Sequence, residues 1–230
     1  MSTPYFSILH PTARVTTSGW KAARSAWLDL AAHPEQVEYI LAVHYSDYVQ
    51  SLPGPLVLTG DPRTAIHGYN DAAADSTGRI LITGADDFFP PPEWDLRLLD
   101  VIYQPWVPAE FVIHVSTGST RDANLISHPI LSRALYNQWG YFFWPEYESV
   151  YADDDLTEHA QLGGLVIDAR GLQFDHRHPA LGKGVDDDVY RLRNRPEAYT
   201  QGKQVLVRRR LEGFDAQPHS QHGAWEMRPE

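Results

Sequence analysis

The sequence predicts an α/β fold in which a mixed, mostly parallel sheet is flanked by helices. Short apolar runs alternate along the chain with stretches whose apolar residues recur at helical spacing. A chain of 230 residues suits one such domain, and 43% hydrophobic with 21% charged residues is typical of a globular protein. We therefore expect a single domain over residues 1–214, followed by a flexible tail over residues 215–230.

The first part of the chain alternates between strand and helix patterns. Four short strands are predicted at the apolar runs of residues 6–9, 37–43, 55–58 and 80–82. Two stretches, residues 19–32 and 64–74, carry apolar side chains on one helical face. Right-handed crossovers place the loops that follow parallel strands at one edge of the sheet. The side chains expected at that edge are Thr12, Arg14, Asp47, Asp86 and Asp87.

Two adjacent carboxylates, Asp86 and Asp87, follow the strand at residues 80–82. The prolines at residues 90–92 then prevent the strand from continuing. In open α/β sheets ligands bind outside the carboxyl ends of the strands, and Mg²⁺ and Mn²⁺ favour carboxylate oxygens together with substrate phosphates. The pair therefore suggests a metal site, although a solvated turn, in which aspartate is common, is the simpler interpretation.

The segment from Asp86 to Trp94 contains the two acids, two further residues, three prolines and, after one more residue, the tryptophan. This pattern resembles the metal-binding segment of GT-A-fold nucleotide-sugar glycosyltransferases of the inverting family-two type. Ala85 stands where the commonest form of that segment has a further acid. The resemblance implies a GT-A-like sheet, with a nucleotide-sugar-binding half over residues 1–95 and an acceptor half over residues 96–214. It also implies an Mn²⁺ or Mg²⁺ cofactor, with Asp87 as a metal ligand.

The resemblance extends to the donor side of the predicted site. The segment at residues 7–14 is similar to the family's opening strand and nucleotide-binding turn, and the segment at 68–73 to the helix before the metal strand. Asp47 corresponds to the acid that recognises the base ring. The donor-binding residues implied are Pro11, Thr12, Arg14, Asp47, Asn70 and Asp86. Taken singly, each is equally compatible with a cap, a surface ion pair or a turn.

Strands are predicted in the second half at residues 111–115 and 165–167, and a helix at 129–139 with Gly140 as its C-terminal cap. The segment from 141 to 147 is densely aromatic. Phe142 and Phe143 suit the core, whereas we expect Trp144 and Tyr147 to stack against an acceptor sugar or base. A last helical region spans 188–214 and is interrupted at Pro196.

Three acids, Asp153, Asp154 and Asp155, precede a helix expected to start near Leu156, and one of them should cap it. Inverting sugar transfer needs a general base that takes the proton of the acceptor hydroxyl. The resemblance places that base in this segment and favours Asp153, with Asp154 and Asp155 as alternatives. Ala152 occupies a position where the family often has glutamate.

His176 and His178 lie two residues apart, on one face of an extended segment. A pair so placed can meet one metal ion, although a histidine is more often structural. The resemblance implies that a histidine from this position joins the metal, with His176 favoured and His178 as the alternative.

Composition narrows the function classes. The absence of cysteine excludes disulfides and thiolate metal sites, and a net charge of −11 opposes non-specific binding of nucleic acid. The basic run at residues 208–210 suits either a local groove or a solvated helix face. There is neither an apolar run long enough for a membrane span nor a signal-peptide pattern, so we expect the cytoplasm of a bacterium or a phage-infected host. The sequence also lacks the glycine-rich motifs of dinucleotide-binding and P-loop proteins.

The function expected from the resemblance is metal-dependent transfer of a sugar from a nucleoside diphosphate donor, most simply a UDP-sugar, to an acceptor hydroxyl with inversion. The acceptor could be a glycan or a hydroxymethylated pyrimidine in phage DNA. One alternative is a nucleotidyltransferase, which usually carries a glycine-rich, lysine-containing loop that residues 10–19 do not provide. Another is a non-catalytic binding module, which Ala85 and Ala152 would suit.

Overall fold

The computed structural model describes residues 3–44, 56–59 and 64–215, with the backbone alone at 56–59. Asp47, which was expected to recognise the base, and nearly all of the expected tail, residues 216–230, lie outside these ranges.

Within these ranges the chain forms nine strands in two sheets. In chain order they are β1 (Phe6–Thr12), β2 (Val37–His44), β3 (Leu56–Thr59), β4 (Ile80–Thr83), β5 (Phe88–Phe89), β6 (Val112–Ser116), β7 (Ile130–Ser132), β8 (Val166–Gln173) and β9 (Asp175–His176). The large sheet has the order β3-β2-β1-β4-β7-β6-β8, and only β7 runs antiparallel to its neighbours. The carboxyl ends of the other six strands therefore share one edge. The strands β5 and β9 form a separate two-stranded sheet.

Helices pack on both faces of the large sheet. They are α1 (Gly19–Asp29), α2 (Ala65–Asp75), α3 (Trp94–Ile102), α4 (Arg133–Trp139), α5 (Ala152–Leu162), α6 (Asp188–Arg193) and α7 (Pro196–Leu211). The expected α/β class, a mostly parallel sheet flanked by helices, is confirmed. No helix among the described residues is long and apolar enough to cross a bilayer.

Two apolar cores result, because successive side chains of a strand point to opposite faces. On one face Ile8 of β1 packs in a cluster with Trp27 and Trp94, from α1 and α3. On the other face Leu9 belongs to a cluster that contains Phe142 and much of α2, α4, α5 and α7. The buried tryptophans explain how helices of modest length hold to the sheet, since a large aromatic side chain buries far more apolar area than an aliphatic one.

The helix expected at residues 129–139 was wrong in its first turn. Ile130–Ser132 forms β7, which pairs antiparallel with both β4 and β6, and the helix starts only at Arg133. The hydroxyl of Ser132 accepts a hydrogen bond from the backbone N–H of Leu135 and so caps α4. Pairing on both sides outweighs the local helical pattern, whereas the predicted end at Gly140, with φ of 78°, is confirmed.

The start of α5 also differs from the expectation. The helix begins at Ala152 rather than near Leu156, so the three acids form its first turn instead of preceding it. Its N-terminal cap position is Tyr151, at φ of 72°, and no side chain caps the helix there. Acids in a first turn interact favourably with the helix dipole, which explains why this turn tolerates three of them.

Candidate active site

Asp86 is the centre of a hydrogen-bonded cluster at the carboxyl edge of β1 and β4. It accepts hydrogen bonds from the Thr12 hydroxyl at 3.0 Å and from Nη1 of Arg14 at 3.1 Å. The ring Nε2 of His10 lies 3.0 Å from its other oxygen, and Nδ1 of the same ring is hydrogen-bonded to Tyr39. Burial alone would raise the pKa of Asp86, but these partners lower it below its ordinary value. Asp86 is therefore an anion fixed in position by the turn after β1.

Arg14 connects this cluster to the C-terminal part of the chain. Its Nε and Nη2 donate to the two oxygens of Asp187 at 2.6 and 2.7 Å, in the bidentate geometry typical of strong arginine–carboxylate pairs. These hydrogen bonds lower the pKa of Asp187 to about 2. Arg14, expected to bind the donor, thus lies between two carboxylates.

Asp87 faces a histidine that the small sheet brings to it. Phe88 pairs with His176, and the backbone N–H of Arg177 donates to the carbonyl of Asp87 at 2.7 Å. As a result Nε2 of His176 lies 3.7 Å from Oδ2 of Asp87. Burial opposes ionisation of Asp87, but His176 and the other nearby histidines keep its pKa well below the ordinary value.

His128 was not predicted from the sequence as a site residue. Its ring forms a group of three imidazoles with those of His176 and His178. Its ring stacks on Phe88 with centroids 3.9 Å apart and meets the ring of His176 edge-on at 4.4 Å. Burial, reinforced by His176, lowers the pKa of His128 well below that of a free imidazole. Its Nδ1 is buried and has no hydrogen-bond partner among the described residues. His178 lies 4.9 Å from the ring of His176, and its Nδ1 accepts from the backbone N–H of Ala180.

A divalent ion fits the chemistry of Asp87 and His176. A carboxylate oxygen and an imidazole nitrogen suit Mn²⁺, and two such atoms 3.7 Å apart can share one ion that binds each at about 2.1 Å. The described residues hold no group of three or more acids and histidines arranged around a single metal position. A metal held here would thus depend on donor phosphate oxygens for its remaining ligands, as Mg²⁺ sites commonly do.

The three acids of α5 occupy three different environments. Asp153 is half-buried, and burial together with the charge of Asp154 raises its pKa to about 7. Asp154 is more open and lies 4.0 Å from Nη2 of Arg121. The charge of Arg121 also lowers the pKa of His178, which places the acidic turn near the histidines. An aspartate with a pKa near neutrality is suited to accept a proton at physiological pH.

Asp155 forms a buried ion pair instead of facing the site. Its Oδ2 accepts from Nε of Arg209 at 3.0 Å and from the Tyr147 hydroxyl at 3.1 Å, and both members of the ion pair are almost wholly buried. Arg209 also donates to the carbonyl of Phe214 and covers the ring of Trp144, 3.6 Å from its centroid. The alternative base Asp155 is thus a structural residue that joins α5 to α7.

The same network shows that the expectation for the acceptor-binding residues was wrong. Trp144 and Tyr147 are 2% and 0% exposed, so neither ring offers a face to an acceptor. Both belong to the core: the Tyr147 hydroxyl donates to Asp155, and Arg209 lies over the ring of Trp144. Asn70 is likewise occupied: its Oδ1 accepts from the backbone N–H groups of Phe142 and Phe143, so it fixes the aromatic segment rather than facing the donor.

Pro11 and Tyr69 position the segments that follow β1 and β4 through local contacts. The side chain of Pro11 lies so close to Gly68 of α2 that a Cβ at Gly68 would be 2.6 Å from it. One residue later, the Tyr69 hydroxyl donates to the carbonyl of Gly84 at 2.8 Å, just before the acid pair. Helix α2 therefore supports both the turn after β1 and the segment that carries Asp86.

The fold of this chain is similar to the folds of several solved glycosyltransferase structures. S. aureus TarS 1-349 superposes with a TM-score of 0.64 at 13% sequence identity, covering 92% of this chain and 66% of that one. The mannosyltransferase PcManGT from Pyrobaculum calidifontis, in complex with GDP-Man and Mn²⁺, gives 0.61 at 16% identity, covering 90% of this chain and 65% of that one. The fold is GT-A-like. TarS 1-349 in complex with UDP-GlcNAc matches over 74% of this chain, with a TM-score of 0.57.

These structures are longer than this chain, which spans at most about two thirds of their length. No protein-family model and no curated protein matches the sequence. Because the identities are low, the likeness concerns the fold alone.

Proposed function

We propose that this chain transfers a sugar from a nucleoside diphosphate donor to an acceptor hydroxyl, with inversion at the anomeric carbon. The observation that carries the proposal is the pairing of β5 with β9, which sets His176 against Asp87 at the carboxyl edge of the sheet. Support comes from the GT-A-like fold, since structures with the same fold were solved with UDP-GlcNAc and with GDP-Man and Mn²⁺.

Asp87 and His176 hold a divalent ion in this proposal. Asp86 binds Thr12 and Arg14 and so keeps these two residues next to the metal ligands. When bound, such an ion stabilises the negative charge that develops on the diphosphate leaving group. The base of the donor lies toward the carboxyl end of β2, beyond which Asp47 was predicted to recognise it, and a UDP-sugar is the first donor to test.

Asp153 acts as the general base. Its carboxylate takes the proton of the acceptor hydroxyl while the hydroxyl oxygen forms a bond to the anomeric carbon of the sugar. The bond from that carbon to the diphosphate oxygen breaks, and the electron pair leaves with the diphosphate. Attack from the face opposite the leaving group inverts the anomeric centre. The raised pKa of Asp153 makes the carboxylate a stronger base than an exposed aspartate.

A donor-hydrolysis screen tests the proposal before the acceptor is known. UDP- and GDP-sugars are incubated with the protein and Mn²⁺, and release of the nucleoside diphosphate is measured. We expect release from at least one donor, and loss of that release in Asp87→Ala or with a chelator. Asp100→Ala, at an exposed position of α3, is the matched control and should keep full activity. Equal release by Asp87→Ala and the parent protein would overturn the metal assignment.

The same assay then identifies the acceptor. A glycan and DNA that contains hydroxymethylated pyrimidines are added separately with the active donor. The true acceptor should increase donor consumption and become labelled with the sugar. The net charge of −11 predicts that DNA, if it is the acceptor, is bound in a salt-sensitive manner and only over a limited basic surface.

A further inference from the structure

One face of α6 is turned toward the candidate site. Asp187, the N-terminal cap of this helix, holds Arg14 in a bidentate pair. Three residues later, the ring of Tyr190 packs against His178 at 5.2 Å. Residues three or four apart lie on the same side of a helix, so Arg193 lies on the side of α6 that carries Tyr190.

Arg193 is half-buried and forms neither a hydrogen bond nor an ion pair with any residue that the structure describes. Arg191, two residues earlier and on the other side of the helix from Arg193, is exposed and pairs with both Asp186 and Asp188. A half-buried guanidinium is usually paired, because desolvating a charge without a partner is unfavourable. The charge of Arg193 acts on Asp187, but its guanidinium donates to none of the described residues and is available to an anionic ligand.

Electrostatic effects locate Arg193 near the acid pair. Burial raises the pKa of Tyr69; the charge of Arg193 opposes that rise, whereas Asp87 and Asp86 add to it. The Tyr69 hydroxyl is fixed on the carbonyl of Gly84 by a hydrogen bond of 2.8 Å. Arg193 thus acts on the same phenol as the two carboxylates at the end of β4.

The charge balance around Arg14 favours a further cation. The two carboxylates of Asp86 and Asp187 already outweigh the charge of Arg14. A diphosphate that approaches Asp87 would meet further negative charge unless a cation besides the metal faces it. The planar fork of an arginine matches phosphate oxygens in bidentate geometry.

We propose that Arg193 binds the diphosphate of the nucleotide donor. This inference rests on the proposed function and deepens it, because it assigns a diphosphate ligand to α6, in the part of the chain expected to serve the acceptor. The ion pair of Asp187 with Arg14 and the contact of Tyr190 with His178 hold the helix in place for that role.

Calorimetric titration with UDP, GDP and UMP in the presence of Mn²⁺ tests this role. Hydrogen bonds to charged groups contribute about 1.5–3 kcal/mol, so Arg193→Gln should weaken binding of the preferred diphosphate by about 10- to 100-fold. The loss should be smaller for UMP, which lacks the second phosphate. Arg193→Lys should recover part of the affinity, and the matched control Arg191→Gln should bind like the parent protein.

Binding of Mn²⁺ alone, followed by electron paramagnetic resonance, should be unchanged in Arg193→Gln, which separates this residue from the metal ligands. Circular dichroism and thermal unfolding confirm that each variant is folded. Equal diphosphate affinity in Arg193→Gln and the parent protein would overturn the inference and leave the proposed function intact. Failure of the parent protein to bind any nucleoside diphosphate would overturn both.

Discussion

The environment of Asp153 makes a prediction about stability that can be tested before the acceptor is known. Burial and the charge of Asp154 raise its pKa from 3.8 to about 7, so the native protein holds a proton there more tightly than the unfolded chain does. The stabilising contribution of that proton is complete below about pH 4 and is lost as the pH rises through about 7. At pH 8 the native state contains a poorly solvated carboxylate.

Replacing Asp153 with asparagine removes that charge and keeps the shape of the side chain. The rise in pKa from 3.8 to about 7 corresponds to about 4 kcal/mol, which is the most that the substitution can restore at pH 8. At pH 4 the parent side chain is already largely protonated in the native state, so the difference should fall toward zero. Asp153→Asn should therefore be more stable than the parent protein at pH 8 while it loses about 10²–10⁴-fold in sugar transfer.

Urea unfolding at several values between pH 4 and pH 8 measures this effect. Asp100→Asn, on the exposed side of α3, is the control and should show little change at any pH. Asp154→Asn should lower the pKa of Asp153 and move the acid limb of the rate profile to lower pH. A difference in unfolding free energy between Asp153→Asn and the parent protein that stays constant from pH 4 to pH 8 would refute the reasoning.

Two further predictions concern stability. Arg209→Met should destabilise the protein by about 3–5 kcal/mol in chemical unfolding, because Asp155 stays buried without its counter-charge. Arg210→Met, which breaks an exposed pair, should cost about 1 kcal/mol or less, and similar losses in both variants would contradict this account. Gly68→Ala should cost about 1–3 kcal/mol because its Cβ would lie 2.6 Å from the proline of β1, whereas Gly171→Ala, with open space around it, should be neutral in the same assay.

The sequence by itself determined the six parallel strands of the large sheet and the position of the acid pair. Apolar runs bounded by glycine and proline are local signals, and the prolines at residues 90–92 force the chain to turn just after Asp86 and Asp87. Parallel strands place their carboxyl ends at one edge, so Thr12, Arg14 and Asp86 were expected together, and hydrogen bonds join them in the structure. Periodicity and chain direction are sufficient for such predictions.

The tertiary structure decided which of the candidate side chains face that edge. The three acids of α5 are equivalent in the sequence, but packing against α7 buries Asp155 with Arg209 and leaves Asp153 half-exposed. Trp144 was expected to offer its ring to an acceptor, but Arg209 covers that ring. Local sequence cannot resolve these cases, because the partner that buries or neutralises each group comes from a distant element.

Pairing between short segments could likewise not be predicted from the sequence. The strands β5 and β9 have two residues each, too few for any periodic pattern, yet their pairing brings His176 to Asp87. His128 reaches the same place at the start of β7, a strand whose residues look helical in isolation. Arg193 faces the site only because Asp187 and Tyr190 anchor its helix there. The physical reason is common to all three: contacts between distant segments, and not local propensity, set where these side chains lie.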